Sequence, residues 1–538
     1  MQSLEKQQKA IDLSHHLSDV ALARQTSPLK GLARFFGRPG MISLAGGMPS
    51  PDYFPFAAIS GDALVPESFA VTSSQSESSL SWLWKLFGAN GRKEKTSTIT
   101  IPKYVDRPTE DINLATALQY GMATGLPALS KFINEFVAKT YQPGFSDWTA
   151  LIQTGNTDGW SRVLLTLANP GEMFIVEDWT YPSAMAVAQP YNISPVGVPM
   201  DGQGMRSDEL RKLLAGWDEA ARGAKRPHVL YTVPVGQNPT GLTTSVSRKK
   251  EIYDICVEYD IIIVEDDPYY FLQLAPYSAK SDRASSRVDP AESDKWLSGL
   301  SPSYLKFDYQ GRVIRLDTFS KTIAPGSRLG FFTCNPRFAE RLERAGETSA
   351  QAPCGFGQSL IGQLLTTWQF DGYVRWLHGL AAQYEARRDF IIDALAEEFN
   401  LKQSLGTTGS WAGLTVLSAS AKPRGLAAMS EKFALGQQPY FSLVPPTAGM
   451  FLWLKIHFEN VRGFKEGDEA SLELKLWTKL AEAGVLVGPG YYFATDESPM
   501  DAAEGHFRMS FSLATDKELK KAVEILGGVV RDFFQNPE

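Results

Sequence analysis

Lys321, in DTFSKTIAPGSRLGFF (317–332), is the residue of this chain best placed for covalent chemistry. The apolar run before it, VIRLD (313–317), reads as a strand, and ligands of open α/β sheets bind beyond the carboxyl ends of strands. Small and hydroxylated residues surround the lysine: Thr318, Ser320, Thr322, Gly326 and Ser327. Arg328 follows seven residues on. An amine in that setting can form an imine with an aldehyde, while hydroxyls and a guanidinium hold a phosphate. Taken alone, the motif describes a surface lysine in a βα turn equally well.

Four more motifs bear on the same chemistry. In IIIVEDDPYYF (261–271) a strand runs into consecutive acids, and a strand-end carboxylate can pair with a protonated pyridine nitrogen. Asp267 and Tyr270 are three apart, so a turn can bring the phenol to the ring's 3-oxygen. That spacing selects Asp267 over its neighbour Asp266. An acidic cap on the next helix is the plainer use of such a pair. In VGQNPTG (235–241) glycine and proline force a turn after HVLYTV, and Asn238 projects toward the same strand-end crevice. TGNTDGW (154–160) joins a strand to a helical stretch, where Gly155, Asn156 and Thr157 can grip an anion at a helix start. In HFRMSFS (506–512) Arg508 can hold a carboxylate with two hydrogen bonds, although alternation alone puts it on an exposed polar face.

The elements that must position these residues are legible. Continuous apolar runs, LIQTG (151–155), MFIVE (173–177), HVLYTV (228–233), IIIVED (261–266), VIRLD and LGFFT (329–333), alternate with amphipathic stretches. Such runs read as a parallel sheet covered by helices on both faces. Four segments follow. Residues 1–60 form an N-terminal arm. Residues 61–110 hold a Ser/Thr/Lys-rich insertion whose apolar centre, LSWLWKLFG, suits docking on the body. Residues 111–360 make the large domain, with a polar surface insertion at 276–303. Residues 361–538 make a smaller α/β domain. Apolar residues are 43% and charged residues 21% of the 538, as in globular proteins. A net charge of −7 argues against a nucleic-acid partner. No apolar stretch is long enough to span a membrane, and no secretory signal opens the chain, so a cytoplasmic location is expected. Three cysteines without CxxC spacing and six histidines without an HxxxH pair argue against disulfides and metal catalysis.

The motifs together resemble those of fold-type I aminotransferases that depend on pyridoxal 5′-phosphate. SLAGGMPSPDYFPF, ALQYGMATGLPALSKFI, GQNPTG, VEDDPYYFLQ, DTFSKTIAPGSRLGF, AGMFLWLKI and FRMSFS are similar to the aromatic and 2-aminoadipate/kynurenine subgroup, the fungal aromatic enzymes most of all. The likeness spans about residues 28–530 and is weak across 61–105 and 276–303. It implies an α/β fold: a large domain with a mostly parallel seven-stranded sheet between helices, and a smaller α/β domain. It implies that Lys321 bears the cofactor as an imine and moves the proton between the substrate Cα and the cofactor C4′. Asp267 would pair with the pyridine nitrogen, and Tyr270 and Asn238 with the 3-oxygen. Asn156, Thr157, Thr318, Ser320 and Arg328 would bind the phosphate, and Tyr181 would stack on the ring. Arg508 would hold the substrate carboxylate, with Asn238, Tyr120 and Gly47 beside it. Gly46, Gly47 and Met48 would line the entrance. Tyr120 would reach the neighbouring subunit's phosphate, which implies a homodimer with shared sites. The implied reaction is transamination of aromatic amino acids with 2-oxoglutarate; 2-aminoadipate or kynurenine is the alternative donor. Arg508 disfavours decarboxylation because it holds the carboxylate. A cofactor-sensing transcription regulator would need a DNA-binding module ahead of SLAGG, and the roughly 40 residues before it show no helix-turn-helix of the needed size, so that reading is not expected.

Overall fold

The computed structural model describes residues 7–26, 40, 42, 44–45, 47–71, 95–283, 293–422, 438–495 and 504–537. The apolar centre of the first insertion, LSWLWKLFG (80–88), and Gly46 lie outside the described residues. An antiparallel ribbon of β1 (Ala58–Leu64) and β2 (Thr96–Pro102), most of it within the 61–110 insertion, stands before and after that apolar centre in the chain, with Ala58 opposite Pro102.

The central sheet has seven strands: β3 (Thr149–Gln153), β4 (Met173–Glu177), β5 (Ser194–Val198), β6 (Val229–Thr232), β7 (Ile262–Asp266), β8 (Val313–Thr318) and β9 (Gly330–Cys334). Their spatial order is β3-β9-β8-β7-β6-β4-β5. β9 alone runs against the other six strands, antiparallel to both β8 and β3, so the sheet is mostly parallel as expected. Six of the strands coincide with the apolar runs read above. The seventh, β5, carries Pro195 and Gly197 and occupies the sheet edge, where proline costs no ladder bond.

Side chains alternate across the sheet, and two separate cores result. Val229, Tyr231, Ile262, Val264, Ile314 and Leu316 face one core, built with Trp160, Val163 and Leu164 of helix 156–167. Leu230, Ile263 and Val313 face the other, built with Phe132, Ile133, Phe136 and Tyr141 of helix 127–140 and its end. These helices are α1 (Pro127–Thr140) and α2 (Asn156–Leu167); α3 (Pro182–Ala188), α4 (Val246–Glu258), α5 (Gly355–Glu398) and α6 (Asp516–Gln535) complete the frame used below.

Helix α5 breaks at Gln369, where φ is 56°. Ile361 and Leu365 before the break join the α1-side core; Ile391, Ile392 and Leu395 after it join the other. Beyond α5 lies a six-stranded sheet: β10 (Asn400–Leu405), β11 (Thr415–Ser420), β12 (Phe441–Leu443), β13 (Phe451–His457), β14 (Gly488–Pro489) and β15 (Glu504–Ser510), in the order β10-β11-β12-β13-β15-β14. Arg508 on β15 lies opposite Trp453 on β13. In the second insertion, residues 293–299 are helical, and Trp296 stacks on His378 of α5 at 4.8 Å.

Candidate active site

The carboxyl ends of β6, β7 and β8, the start of α2 and strand β15 converge on one crevice. Lys321 sits in the turn after β8, half buried. Burial lowers its affinity for a proton, and the cations of Arg508 and Arg328 lower it further. A lysine so placed holds more neutral amine at physiological pH than an exposed one.

Arg508 donates from Nη1 to Asn238 Oδ1 at 2.8 Å. Its guanidinium lies between two rings, 4.3 Å from that of Phe451 and 4.7 Å from that of Phe493. The cation packs against both rings, and its nitrogens other than Nη1 are left to meet a planar carboxylate. Periodicity alone argued for a solvent-facing arginine. The neighbouring subdomain strands and the NPTG turn instead enclose it.

On the other side, Arg328 has φ 47° and stands exposed, with Nη1 donating to Pro325 O at 3.0 Å and toward Ser320 Oγ at 3.4 Å. Ser320 N donates to Thr318 Oγ1 at 3.1 Å, and that hydroxyl donates on to Ser320 Oγ at 2.8 Å. Gly155, at φ 100°, caps α2 with no side chain, and a Cβ there would fall 2.3 Å from Arg328 Nη2. The guanidinium therefore abuts the uncapped N-terminus of a 12-residue helix, an arrangement suited to a phosphate. Thr157, in the first turn of α2, is exposed.

Asn156 is placed differently from the expectation of a phosphate side chain. Its Nδ2 donates to Asp266 Oδ1 at 2.6 Å and to Leu316 O at 3.0 Å, and its Oδ1 accepts from Gln153 Nε2 at 2.9 Å. With both ends engaged, the side chain buttresses Asp266, which leaves the backbone N–H of Asn156 as the group that could meet an anion.

The choice between the two acids is reversed. Asp266 continues the face of Ile262 and Val264, the face that carries α2, and also accepts from Tyr231 OH at 2.6 Å. Asp267 is on the opposite face, 3.1 Å from Arg315 Nη1, within a buried group that includes Glu265 and Asp317. Tyr270 goes with it: its ring packs on Tyr141, with the Arg315 guanidinium 4.7 Å from its centre. Tyr269 points the other way, edge-on to Phe451, with Asp266, Arg508 and Tyr181 as charged or polar neighbours. Burial pushes the Tyr269 phenol up and Asp266 adds to it, while Arg508 pulls it down. The sequence contains the D-x-x-Y spacing twice, as Asp266–Tyr269 and Asp267–Tyr270. Spacing could not separate them; counting the period-two alternation inward from Ile262 does.

Tyr181 stands half-buried at the start of α3, packed against the α2-side core. Tyr120 is 64% exposed, and Gly47 and Met48 are exposed as well. The crevice thus assembles Lys321, Arg508, Asn238, Arg328, Ser320, Thr318, Asn156, Asp266, Tyr269 and Tyr181. It excludes Asp267 and Tyr270.

Comparison with known proteins gives the same picture at family level. The model of the class I and II aminotransferases matches residues 87–526. The chain belongs to that family. An aromatic amino acid aminotransferase of Schizosaccharomyces pombe is 34% identical over 527 residues, covering 97% of this chain and 98% of the relative. An L-tyrosine:2-oxoglutarate aminotransferase of Tapinella panuoides is 31% identical, covering 98% and 97%. The crystal structure of aminotransferase Aro8 from Candida albicans superposes with a TM-score of 0.80 at 33% identity, covering 98% and 99%. The architecture is that of fold-type I aminotransferases, whose cofactor is pyridoxal 5′-phosphate.

The crevice fits that cofactor. The absence of a Cβ at Gly155 lets the Arg328 guanidinium lie against the α2 N-terminus, so that a cation and the free backbone N–H groups would meet a phosphate together. Burial raises the Asp266 carboxyl above the usual range against the donors Tyr231 and Asn156, so a protonated ring nitrogen is a suitable partner for it.

Proposed function

We propose that this aminotransferase transfers the amino group of aromatic amino acids, phenylalanine, tyrosine and tryptophan, to 2-oxoglutarate. The single observation that carries the reading is Lys321 set between two guanidiniums, Arg508 and Arg328. One is positioned for a substrate carboxylate and the other for the cofactor phosphate. Full-length likeness to relatives named for aromatic donors supports the substrate class.

When bound, pyridoxal phosphate supplies an electrophilic aldehyde and an electron-withdrawing ring. Asp266 would face its ring nitrogen, with Tyr231 and Asn156 keeping that carboxylate oriented. Tyr269 and Asn238 would border its 3-oxygen, and Tyr181 its ring. The α2 backbone, Thr318, Ser320 and Arg328 would hold its phosphate. Lys321 would hold the cofactor through its amine, and as a free amine it would move the proton to and from the substrate Cα. Arg508 fixes the α-carboxylate of donor and acceptor alike, which aligns the Cα–H bond with the lysine.

The reading includes a homodimer in which Tyr120 of one protomer reaches the other's site. The exposure of Ile42 (84%), Leu44 (92%), Tyr53 (86%) and Tyr120 (64%) supports it. It also includes a cytoplasmic location, supported by three free cysteines. No helix among the described residues is long and apolar enough to cross a membrane. The segment boundaries 1–60, 61–110, 111–360 and 361–538 are part of the same reading, supported by the two sheets lying at 149–334 and 400–510.

The test is a donor panel (phenylalanine, tyrosine, tryptophan, kynurenine, 2-aminoadipate) assayed with 2-oxoglutarate. Glutamate formed fastest from the aromatic three supports the proposal. A preference for kynurenine or 2-aminoadipate replaces the substrate class, and ammonia with pyruvate from a cysteine conjugate overturns transamination. Lys321→Ala should lose at least ~10³-fold in kcat, in line with the loss of a positioned acid–base group. Retained wild-type turnover in that variant would sink the mechanism.

A further inference from the structure

A second polar cluster lies in the N-terminal segment, among groups that the proposed transamination does not use. His15 and His16 are adjacent in a short 3-10 turn, and both present Nε2 to one carboxylate, Asp260, in the turn between α4 and β7. His15 Nε2 is 2.7 Å from Oδ2, and His16 Nε2 is 3.0 Å from Oδ1. One ligating atom from each of the three residues falls within 4.8 Å of the others. His15 is exposed, His16 buried and Asp260 intermediate, so the cluster has a solvent entry and a fixed inner wall.

The inner wall matters because of its proton count. His16 Nδ1 is 2.9 Å from His228 Nδ1, and His228 Nε2 is 3.4 Å from Glu172 Oε2. The row Glu172–His228–His16–Asp260 therefore has three links with a carboxylate at each end. Two neutral imidazoles carry one N–H each, so they fill two links. If His228 donates to Glu172 and His16 donates to His228, the lone pair of His16 Nε2 faces Asp260 Oδ1. Two acceptors then meet at hydrogen-bond distance, a link that a third proton or a bound cation completes; the opposite tautomers fill it instead and leave the 3.4 Å contact of His228 with Glu172 without a proton. The surroundings are those of an outer ligand shell: a ligating imidazole gives its other N–H to an acceptor, and a ligating carboxylate is itself hydrogen-bonded. Here His228 plays the first part for His16. Arg312 Nη1, 2.7 Å from Asp260 Oδ1, plays the second, and Gln310 Oε1 holds the same guanidinium through Nε at 2.5 Å.

We propose that His15, His16 and Asp260 bind one divalent transition-metal cation of the zinc or nickel class, completed by water. Two imidazoles and a carboxylate suit those ions, and ligand bonds of about 2.0–2.2 Å need only a small swing of the exposed His15. The site joins the N-terminal segment to the central sheet. That segment is already anchored there, with Ile11 N donating to Gln310 O at 2.9 Å and Asn335 Nδ2 to Ile11 O at 3.1 Å. The cation acts as a staple for the segment and takes no part in amino transfer.

Untagged holoenzyme, stripped with a chelator, is titrated with zinc chloride against a competing chromophoric chelator, and its melting temperature is read with and without zinc. The expected result is one ion per protomer, a rise in melting temperature with zinc, and unchanged kcat. His15→Gln, at the exposed position, should weaken zinc at least ~10-fold without harming the fold, and Asp260→Asn should do the same. His457→Gln, at a histidine paired instead with Glu459, should leave zinc binding as in the parent. Absence of stoichiometric binding, or binding that survives both His15→Gln and His16→Gln, overturns the proposal. So does a proton-detected spectrum of the zinc-treated protein showing His16 as an imidazolium, because a proton then fills the link.

Discussion

Asn156 Nδ2 donates to Asp266 Oδ1 at 2.6 Å, joining the first residue of α2 to the last residue of β7. The bond aims the carboxylate into the crevice and occupies the side chain expected to touch phosphate. Asp266 and Asp267 should therefore respond differently to the same change. Asp266→Asn should lower kcat by at least ~10²-fold, as loss of a directed electrostatic partner does, with little change in unfolding. Asp267→Asn breaks a buried pair with Arg315 and should cost about 3 kcal/mol of stability, with kcat affected far less. Steady-state rates and denaturant unfolding on both variants decide it; equal loss of kcat would reject the reassignment.

Arg508 offers a planar fork held between Phe451 and Phe493. Lysine keeps the charge and loses the fork. Arg508→Lys should raise KM for the amino donor and for 2-oxoglutarate by on the order of 100-fold, about 3 kcal/mol of charged hydrogen bonding. Because both substrates present an α-carboxylate, both constants should rise together. A rise confined to one of them would contradict a shared carboxylate site.

Removing Arg508 also removes a cation beside Lys321. The proton affinity of Lys321 should then increase, since a like charge had lowered it. In Arg508→Ala the alkaline-favoured form of the enzyme should appear at higher pH than in the parent. The pH dependence of the holoenzyme's visible spectrum measures this, and an unshifted or lowered midpoint would refute it.

Gly155 is constrained twice over, by φ 100° and by Arg328 Nη2 at 2.3 Å from the position of a Cβ. Gly155→Ala should strain the turn by roughly 1–3 kcal/mol and push Arg328 aside. Cofactor dissociation should become measurably faster while the apoprotein still folds. Unaltered cofactor retention on gel filtration would argue against the anion site.

His506 lies buried between Trp179 and Trp453, stacked on the latter at 4.8 Å, with Nδ1 unpartnered. Burial pulls its pKa down to about 3, below the unfolded value of 6.5. Between those two values the unfolded chain binds more protons, so stability is fully present above pH 6.5 and falls as the pH drops toward 3. His506→Phe keeps the stack and removes the titration. It should lessen the acid loss by up to ~5 kcal/mol, read as a flatter plot of unfolding free energy against pH. An identical slope in parent and variant would disprove the assignment.

Lys321, Asn238 and Arg328 could be read from the sequence because each sits in a short motif tied to a strand end, whereas Arg508 lies within β15 and its alternation pointed to solvent. The strands were legible for the same reason: a parallel sheet buried on both faces demands continuous apolar runs, and six of seven strands supplied one. β5 escaped because an edge strand tolerates Pro195 and Gly197. The choice of acid escaped because Asp266–Tyr269 and Asp267–Tyr270 have the same spacing, and one residue of register sends a side chain to the opposite face of the sheet. Only the packed sheet, with α2 on one face and Arg315 on the other, fixes which pair faces Lys321. The enclosure of Arg508 by Phe451 and Phe493, and the meeting of His15 and His16 with Asp260, likewise join residues far apart in the chain. Local sequence determined which residues could do the chemistry, since strand ends and turns are set by near neighbours. Tertiary structure decided which of them share a crevice, since that depends on the sheet face and on contacts that no spacing encodes.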